Sequence, residues 1–349
     1  MFSKCISKVF RTLLFDRLEQ NHRGEAAIRQ PSKSRLLLVL LSIPVLAIPL
    51  AFLMQLSPAL DRRVDSDWLR VFAVPFTTRN QQCDIVIFGD SSAVTAIDTD
   101  MLTRLTGMSS CNMAQTLGDI NVTGMDAFAQ FLDHNPRPKV ILIEFGVYNL
   151  HDPGDWAQKN YHLEGSIYDL RYESTRHWLR DYLTHPDDAF VILKQSLFMG
   201  PKVLFLDTFK LTRRIPVNER SVHMPIPAVE MKSCAQWVGK DEPNPPDLKW
   251  IQSVRQQFQG RADVLLFNIS PDDPCNDYWQ QHSQLLQQAW QQGLVDRRPD
   301  MYPVTLFNDP TSPHYTAEGS ERLTEETAAQ ILAASSRSKP EAQPNAHTP

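Results

Sequence analysis

Two segments far apart in the chain carry side chains suited to nucleophilic and acid–base chemistry. The first is Gly89-Asp90-Ser91-Ser92, directly after the apolar run Asp84-Ile85-Val86-Ile87-Phe88. If that run is a strand of an open α/β sheet, the tetrapeptide lies at the carboxyl edge, where such sheets bind ligands. Gly89 then permits a sharp turn that a side chain would block. The Ser91 hydroxyl can project above the sheet edge and act as a nucleophile once a base takes its proton. A serine after a strand more often caps a helix, so the tetrapeptide alone does not separate the two roles. The second segment holds His314, in a loop with Asp309 and ahead of Tyr315-Thr316-Ala317-Glu318-Gly319 and a final helical stretch. A histidine there can serve as general base to Ser91; the alternative is a surface histidine capping the helix.

The elements that must position these residues follow from hydrophobic periodicity. Short buried strands are predicted over 84–88, weakly near 111–114, over 139–145 and over 262–267. Helices are predicted near 98–105, 122–132, 248–258, 277–291 and 316–334, with Met125, Phe128 and Phe131 sharing one face of the second. Buried strands alternating with helices of this length predict an α/β fold around a parallel sheet. Between about 152 and 247 the pattern gives way to a region rich in aromatics and prolines, an insertion of a length that compact domains keep for functional segments. Its Tyr161, Tyr168, Tyr172, Trp178 and Tyr182 are either local core or a surface on which sugars or a membrane partner could rest.

Ahead of this domain no charged side chain occurs from Leu36 to Gln55, a span of roughly 30 Å as a helix, the thickness of a bilayer's hydrocarbon core. Pro44 and Pro49 are tolerable in a membrane helix, and the run is too long and too poorly followed by small residues for a cleaved signal. Residues 1–35 hold eight basic side chains against three acidic ones, marking them as the cytoplasmic side. The expected order is a cytoplasmic segment 1–35, a transmembrane anchor 36–56, a membrane-proximal stalk 57–80, an extracytoplasmic domain 81–335 and a disordered tail 336–349. Of 35 basic and 40 acidic residues, 27 and 37 follow Arg35, a balance that repels nucleic acid.

Of five cysteines, Cys5 falls in the cytoplasmic segment and Cys83, Cys111, Cys234 and Cys275 in the outer domain, where disulfides persist. Three pairings are open to them. Cys83 with Cys111 and Cys234 with Cys275 is favoured because the first two are expected at equivalent ends of neighbouring strands; four buried free thiols are the alternative. With no CxxC spacing, dinucleotide fingerprint, P-loop or His-Glu-x-x-His motif, no metal and no cofactor is expected.

The two reactive segments resemble the first and last blocks of the SGNH hydrolases, also called the GDSL family. Phe88-Gly89-Asp90-Ser91-Ser92 is similar to the block whose serine is the nucleophile, and 309–319 to the block that supplies histidine and usually an aspartate. Outside the insertion the resemblance covers roughly 84–332. It implies a three-layer α/β/α fold, with Ser91, His314 and Asp309 as catalytic residues and Asp90 as a structural residue bracing the turn. It also implies an oxyanion hole from the Ser91 N–H, Gly118 and Asn149, whose donors are worth on the order of 3 kcal/mol in the transition state. Two departures stand out. Gly146-x-x-Asn149 is one residue longer than the family's Gly-x-Asn-Asp. Asp309 lies five residues before His314 rather than three, Thr311 standing at the usual place, so orienting the imidazole requires Ser312-Pro313 to bulge outward.

An anchor followed by such a domain is similar to the proteins that assist D-alanyl transfer to teichoic acid and O-acetylation of alginate beside a membrane-bound O-acyltransferase. The resemblance therefore implies a bacterial cytoplasmic-membrane location, that enzyme as partner, an envelope polysaccharide or other polymer as acceptor, and acyl transfer through Ser91. A deacylating esterase would use the same residues with water as acceptor, and a non-catalytic glycan- or partner-binding module would keep only the fold.

Overall fold

The computed structural model describes residues 63–64, 67–152, 209–211, 213–215, 219, 221–227, 245–275, 277–309 and 312–337. These all belong to the second of two compact units, Ala51–Pro349. The expected cytoplasmic segment and anchor, most of the insertion with its five aromatics, and residues 338–349 of the expected tail lie outside the described residues. Among the described residues no helix is long and apolar enough to cross a membrane.

In chain order the described elements are β1 (Arg63–Val64), α1 (Asp67–Thr77), β2 (Ile85–Gly89), α2 (Ser91–Ala96), α3 (Thr99–Thr106), β3 (Ser110–Asn112), α4 (Leu117–Thr123), α5 (Asp126–His134) and β4 (Val140–Phe145). After them come β5 (Arg213–Arg214), α6 (Leu248–Phe258), β6 (Val264–Ile269), α7 (Asp277–Gln291), β7 (Phe307–Asp309), β8 (Ser312–Tyr315) and α8 (Ala317–Arg337). β1 pairs antiparallel with β5, and the central sheet is four-stranded and parallel in the order β3-β2-β4-β6.

Every residue of β2 and β4 is buried, which is why β2, and β4 as far as Ile143, read as unbroken apolar runs rather than alternating ones. Register sorts their side chains onto two faces. Phe88, Ile143 and Phe267 stand side by side; Phe88 stacks on Phe128 of α5 at 4.8 Å between centroids, and Phe267 meets Trp250 of α6 edge-on. Gly89, Glu144 and Asn268 form the next row on the opposite face, where Asn268 exchanges amide hydrogen bonds with Gln330 of α8 at 2.8 and 3.1 Å. Helices thus cover both faces of the sheet.

The segment expected as a stalk contributes to this core. α1 buries Val71, Phe72, Val74 and Phe76 completely or nearly so, and Gln115 donates to the Phe72 carbonyl at 3.2 Å. Buried packing therefore begins by Arg70, ahead of the domain start expected at 81. At the other end α8 continues to Arg337, past the helix end expected at 334 and into the first residues of the expected tail.

The sheet order sets the location of any site. From β2 the chain crosses to β3 on one side, and from β3 it returns past β2 to β4 on the other. The crevice between the carboxyl ends of β2 and β4 is therefore the topological switch point, where open α/β sheets receive ligands.

Candidate functional site

Ser91 is the first residue of α2, the helix that leaves the carboxyl end of β2, and it is only partly buried. The residue before it caps the helix and does more than cap. Asp90, fully buried, accepts from Ser92 N at 2.9 Å and from the Ser92 hydroxyl through one oxygen. Its other oxygen accepts from Gly146 N at 2.8 Å and from the Asn149 side-chain amide. One carboxylate thereby ties the Ser91 turn, beyond β2, to the Gly146–Asn149 turn beyond β4, across the mouth of the crevice.

Gly89 serves the same junction in a way the sequence does not suggest. Its backbone is not in a left-handed conformation. Instead, a Cβ there would lie 1.7 Å from the Glu144 carbonyl oxygen. The glycine is required by the close approach of β2 and β4, not by the sharpness of the turn.

The other residues expected at the site share this edge of the sheet. Gln115 N donates to Gly89 O at 2.9 Å, so the chain leaving β3 runs beside β2 before α4 begins. Gly118 lies in the first turn of α4, capped by Thr116 and Asp119 in a reciprocal capping box. Asn149 ends the 3₁₀ turn Val147–Asn149, and its amide is held by Asp90.

His314 enters on a hairpin where the sequence predicts a loop. β7 and β8 pair antiparallel, Phe307 opposite Tyr315 and Asp309 opposite Ser312, with a register irregularity between Phe307 and Asp309. Pro313 and His314 consequently face the single residue Asn308, a β-bulge one residue further along than the bulge expected at Ser312-Pro313. β8 packs along α2, and Tyr315 N donates to Thr95 Oγ1 at 3.2 Å. The strand bearing His314 is thus fastened to the helix that Ser91 opens. Thr316 N and its hydroxyl both donate to Leu306 O, at 3.0 and 3.1 Å, and Gly319 packs so closely there that a Cβ would come within 2.2 Å of the same oxygen.

Beneath Ser91 lies a polar chain that was not foreseen. The Ser92 hydroxyl is 2.9 Å from the Ser270 hydroxyl, Ser270 donates to Glu144 Oε1 at 3.0 Å, and Arg297 Nη2 donates to the same oxygen at 2.6 Å. Burial is the largest single influence and works against the Arg297 charge, but Glu144, together with Tyr315, Tyr302 and Glu326, outweighs it and moves the guanidinium pKa upward. Tyr315, whose hydroxyl donates to Pro271 O, is pushed well above the ordinary tyrosine range by burial and then by Glu144, which keeps it a donor. Glu144 was the visible signal, an acid inside an otherwise apolar strand. Arg297, in the polar stretch Asp296-Arg297-Arg298, offered none.

Cys83, two residues before β2, is disulfide-bonded to Cys111 in the middle of β3, with 5.8 Å between Cα atoms. The two are therefore not at equivalent strand ends, the ground on which that pairing was favoured. Cys275 is also disulfide-bonded, its partner lying outside the described residues, as do Cys5 and Cys234. Among the described residues no group of three or more His, Cys, Asp or Glu side chains is arranged to hold a metal. Compared with protein-family models, with curated proteins and with solved structures, the chain matches none.

Proposed function

We propose that this chain is an SGNH-type serine acyltransferase or esterase, anchored by residues 36–56 and working outside the membrane on a cell-envelope polymer. The observation that carries the proposal is the junction at the switch point. Ser91 heads α2 there, the His314 strand is fastened to that helix through Tyr315 and Thr95, and Asp90 ties the serine turn to the Asn149 turn. The disulfide-bonded Cys83, Cys111 and Cys275 support an oxidising, extracytoplasmic location.

In this reading the Ser91 hydroxyl attacks the carbonyl carbon of an acyl donor while His314 takes its proton. The oxyanion is stabilised by the Ser91 N–H, Gly118 and Asn149, and Asp309 orients the imidazole. His314 then protonates the departing group, leaving an acyl ester on Ser91. A polymer hydroxyl attacks that ester in the transferase, and water does so in the esterase. The resemblance to polymer-acylating proteins favours transfer beside a membrane-bound O-acyltransferase.

One observation favours the alternative of a non-catalytic module: the Asn149 amide already donates to Asp90, which leaves only its second N–H for an oxyanion. Intact mass spectrometry of the full chain in detergent, after exposure to p-nitrophenyl acetate, separates the readings. An acetyl adduct on Ser91, absent from Ser91→Ala and slowed in His314→Ala, is expected. A folded, oxidised wild-type protein without an adduct would favour the binding module.

A further inference from the structure

We propose that Glu144 and Arg297, acting through Ser270 and Ser92, are positioning residues for Ser91. The inference rests on Ser91 being the reactive group. None of the four hydrogen-bonds to the Ser91 hydroxyl, and Glu144, Ser270 and Arg297 lie outside the motifs that single Ser91 out.

Ser92 is the neighbour of Ser91 and fully buried, so its side chain sets the direction of the first turn of α2. Its hydroxyl has Asp90 on one side and Ser270 Oγ at 2.9 Å on the other; because Ser270 gives its own proton to Glu144, Ser92 is the donor toward Ser270, and its one proton is shared between Ser270 and Asp90. Ser270, also fully buried, follows β6, and its amide donates to Phe145 O at 2.8 Å. Its hydroxyl reaches Glu144 Oε1 at 3.0 Å. Arg297 closes the chain, donating to Glu144 Oε1 at 2.6 Å and to Ile269 O at 3.3 Å. One run of hydrogen bonds thereby links the ends of β2, β4 and β6 and terminates on the residue beside Ser91.

Stability alone does not account for a charge pair at this point. A buried ion pair is often no better than apolar side chains of the same volume. This one leaves Glu144 Oε2 and Arg297 Nε and Nη1 without a hydrogen-bond partner among the described residues. What it does supply is direction. The carboxylate oxygen shared by Arg297 and Ser270 fixes the Ser270 hydroxyl, which fixes Ser92 and, through Asp90, the Gly146–Asn149 turn opposite.

The test uses the full chain in detergent and two readouts on Ser270→Ala, with Ser270→Thr as the variant that keeps the hydroxyl. Amide exchange at Ser92 and Gly146 should rise about tenfold in Ser270→Ala, with the amides of Ile85 and Val140 unchanged, as expected when local opening becomes easier and global stability does not fall. The kcat for p-nitrophenyl acetate should fall about fivefold at unchanged KM, the net worth of one hydrogen bond, and Ser270→Thr should restore both. Glu144→Gln combined with Ser270→Ala should be no slower than Ser270→Ala alone, because both interrupt one chain. Unchanged exchange at Ser92 and Gly146 overturns the proposal whether or not Ser91 reacts. So does an unchanged kcat in Ser270→Ala when wild-type Ser91 is acylated. Raised exchange with no adduct in the wild type supports the coupling and counts instead against the acyl-transfer reading.

Discussion

Replacing Asp90 by asparagine separates two accounts of this residue by their size. As a helix N-cap alone, asparagine serves as well as aspartate, and the change should cost almost nothing. The geometry says otherwise. Each carboxylate oxygen receives one buried backbone N–H, Ser92 N at 2.9 Å and Gly146 N at 2.8 Å. An amide has only one oxygen, so whichever way it turns, one of these N–H groups loses its acceptor. The side-chain partners can adapt: the Ser92 hydroxyl can rotate to accept, and the Asn149 amide can flip. A buried N–H left without an acceptor costs about 1–3 kcal/mol, and the remaining bonds lose their charge assistance. Asp90→Asn should therefore lower stability by about 2–3 kcal/mol and Asp90→Ala, which orphans both amides, by about 4–6 kcal/mol. Urea unfolding of the full chain in detergent, followed through the buried Trp250 and Trp279, measures both. A neutral Asp90→Asn, or equal losses in the two variants, would show that the carboxylate does not hold the two turns together.

Two further outcomes are expected. Replacing Cys83 and Cys111 together by alanine opens a loop with a sequence separation of 28 and should cost roughly 3.5 kcal/mol in the same unfolding assay; a loss below about 1 kcal/mol would mean the unfolded chain is already compact there. His223 is largely buried, with Nε2 at 2.9 Å from the Ser320 hydroxyl, and burial lowers its pKa against the opposing pull of Asp98, a backbone bond to Thr95 and Asp100. The unfolded chain then binds the proton more tightly, so stability should be full above about pH 6.5 and fall as the pH drops below it. His223→Gln should shrink that slope, leaving the part due to His151, which burial shifts in the same direction; an unchanged slope would remove His223 from the account.

The fold was legible where burial alone decides structure. Unbroken apolar runs at 85–88 and 140–143 mark strands covered on both faces, and 248–258 and 277–291 carry helical periodicity up to their observed ends. Ser91 was legible because a serine directly after a buried strand falls at the sheet edge in any such fold. What could not be read depends on register. Whether Glu144 stands beside Gly89 and Asn268, and hence why Gly89 must lack a side chain, is decided by strand pairing across more than fifty residues of sequence. The β7–β8 hairpin is not legible in the sequence because its strands, Phe307–Asp309 and Ser312–Tyr315, are short and lie directly ahead of a helix. The place of α1 in the core could not be read either, because its partner α5 lies beyond two strands.

The pairing of Cys83 with Cys111 has a consequence for the order of events during synthesis. Cys111 is the first cysteine to follow Cys83 in the chain, and the ring they close contains β2, α2 and α3, with Ser91 inside it. An oxidant that joins cysteines in the order in which they emerge makes this bond directly, with no later exchange between partners. With such an oxidant acting only beyond the proposed anchor, which leaves Cys5 aside, the loop bearing the serine would close covalently before β4, β6 and the His314 hairpin exist to pack against it, and those elements would then assemble around a preformed ring.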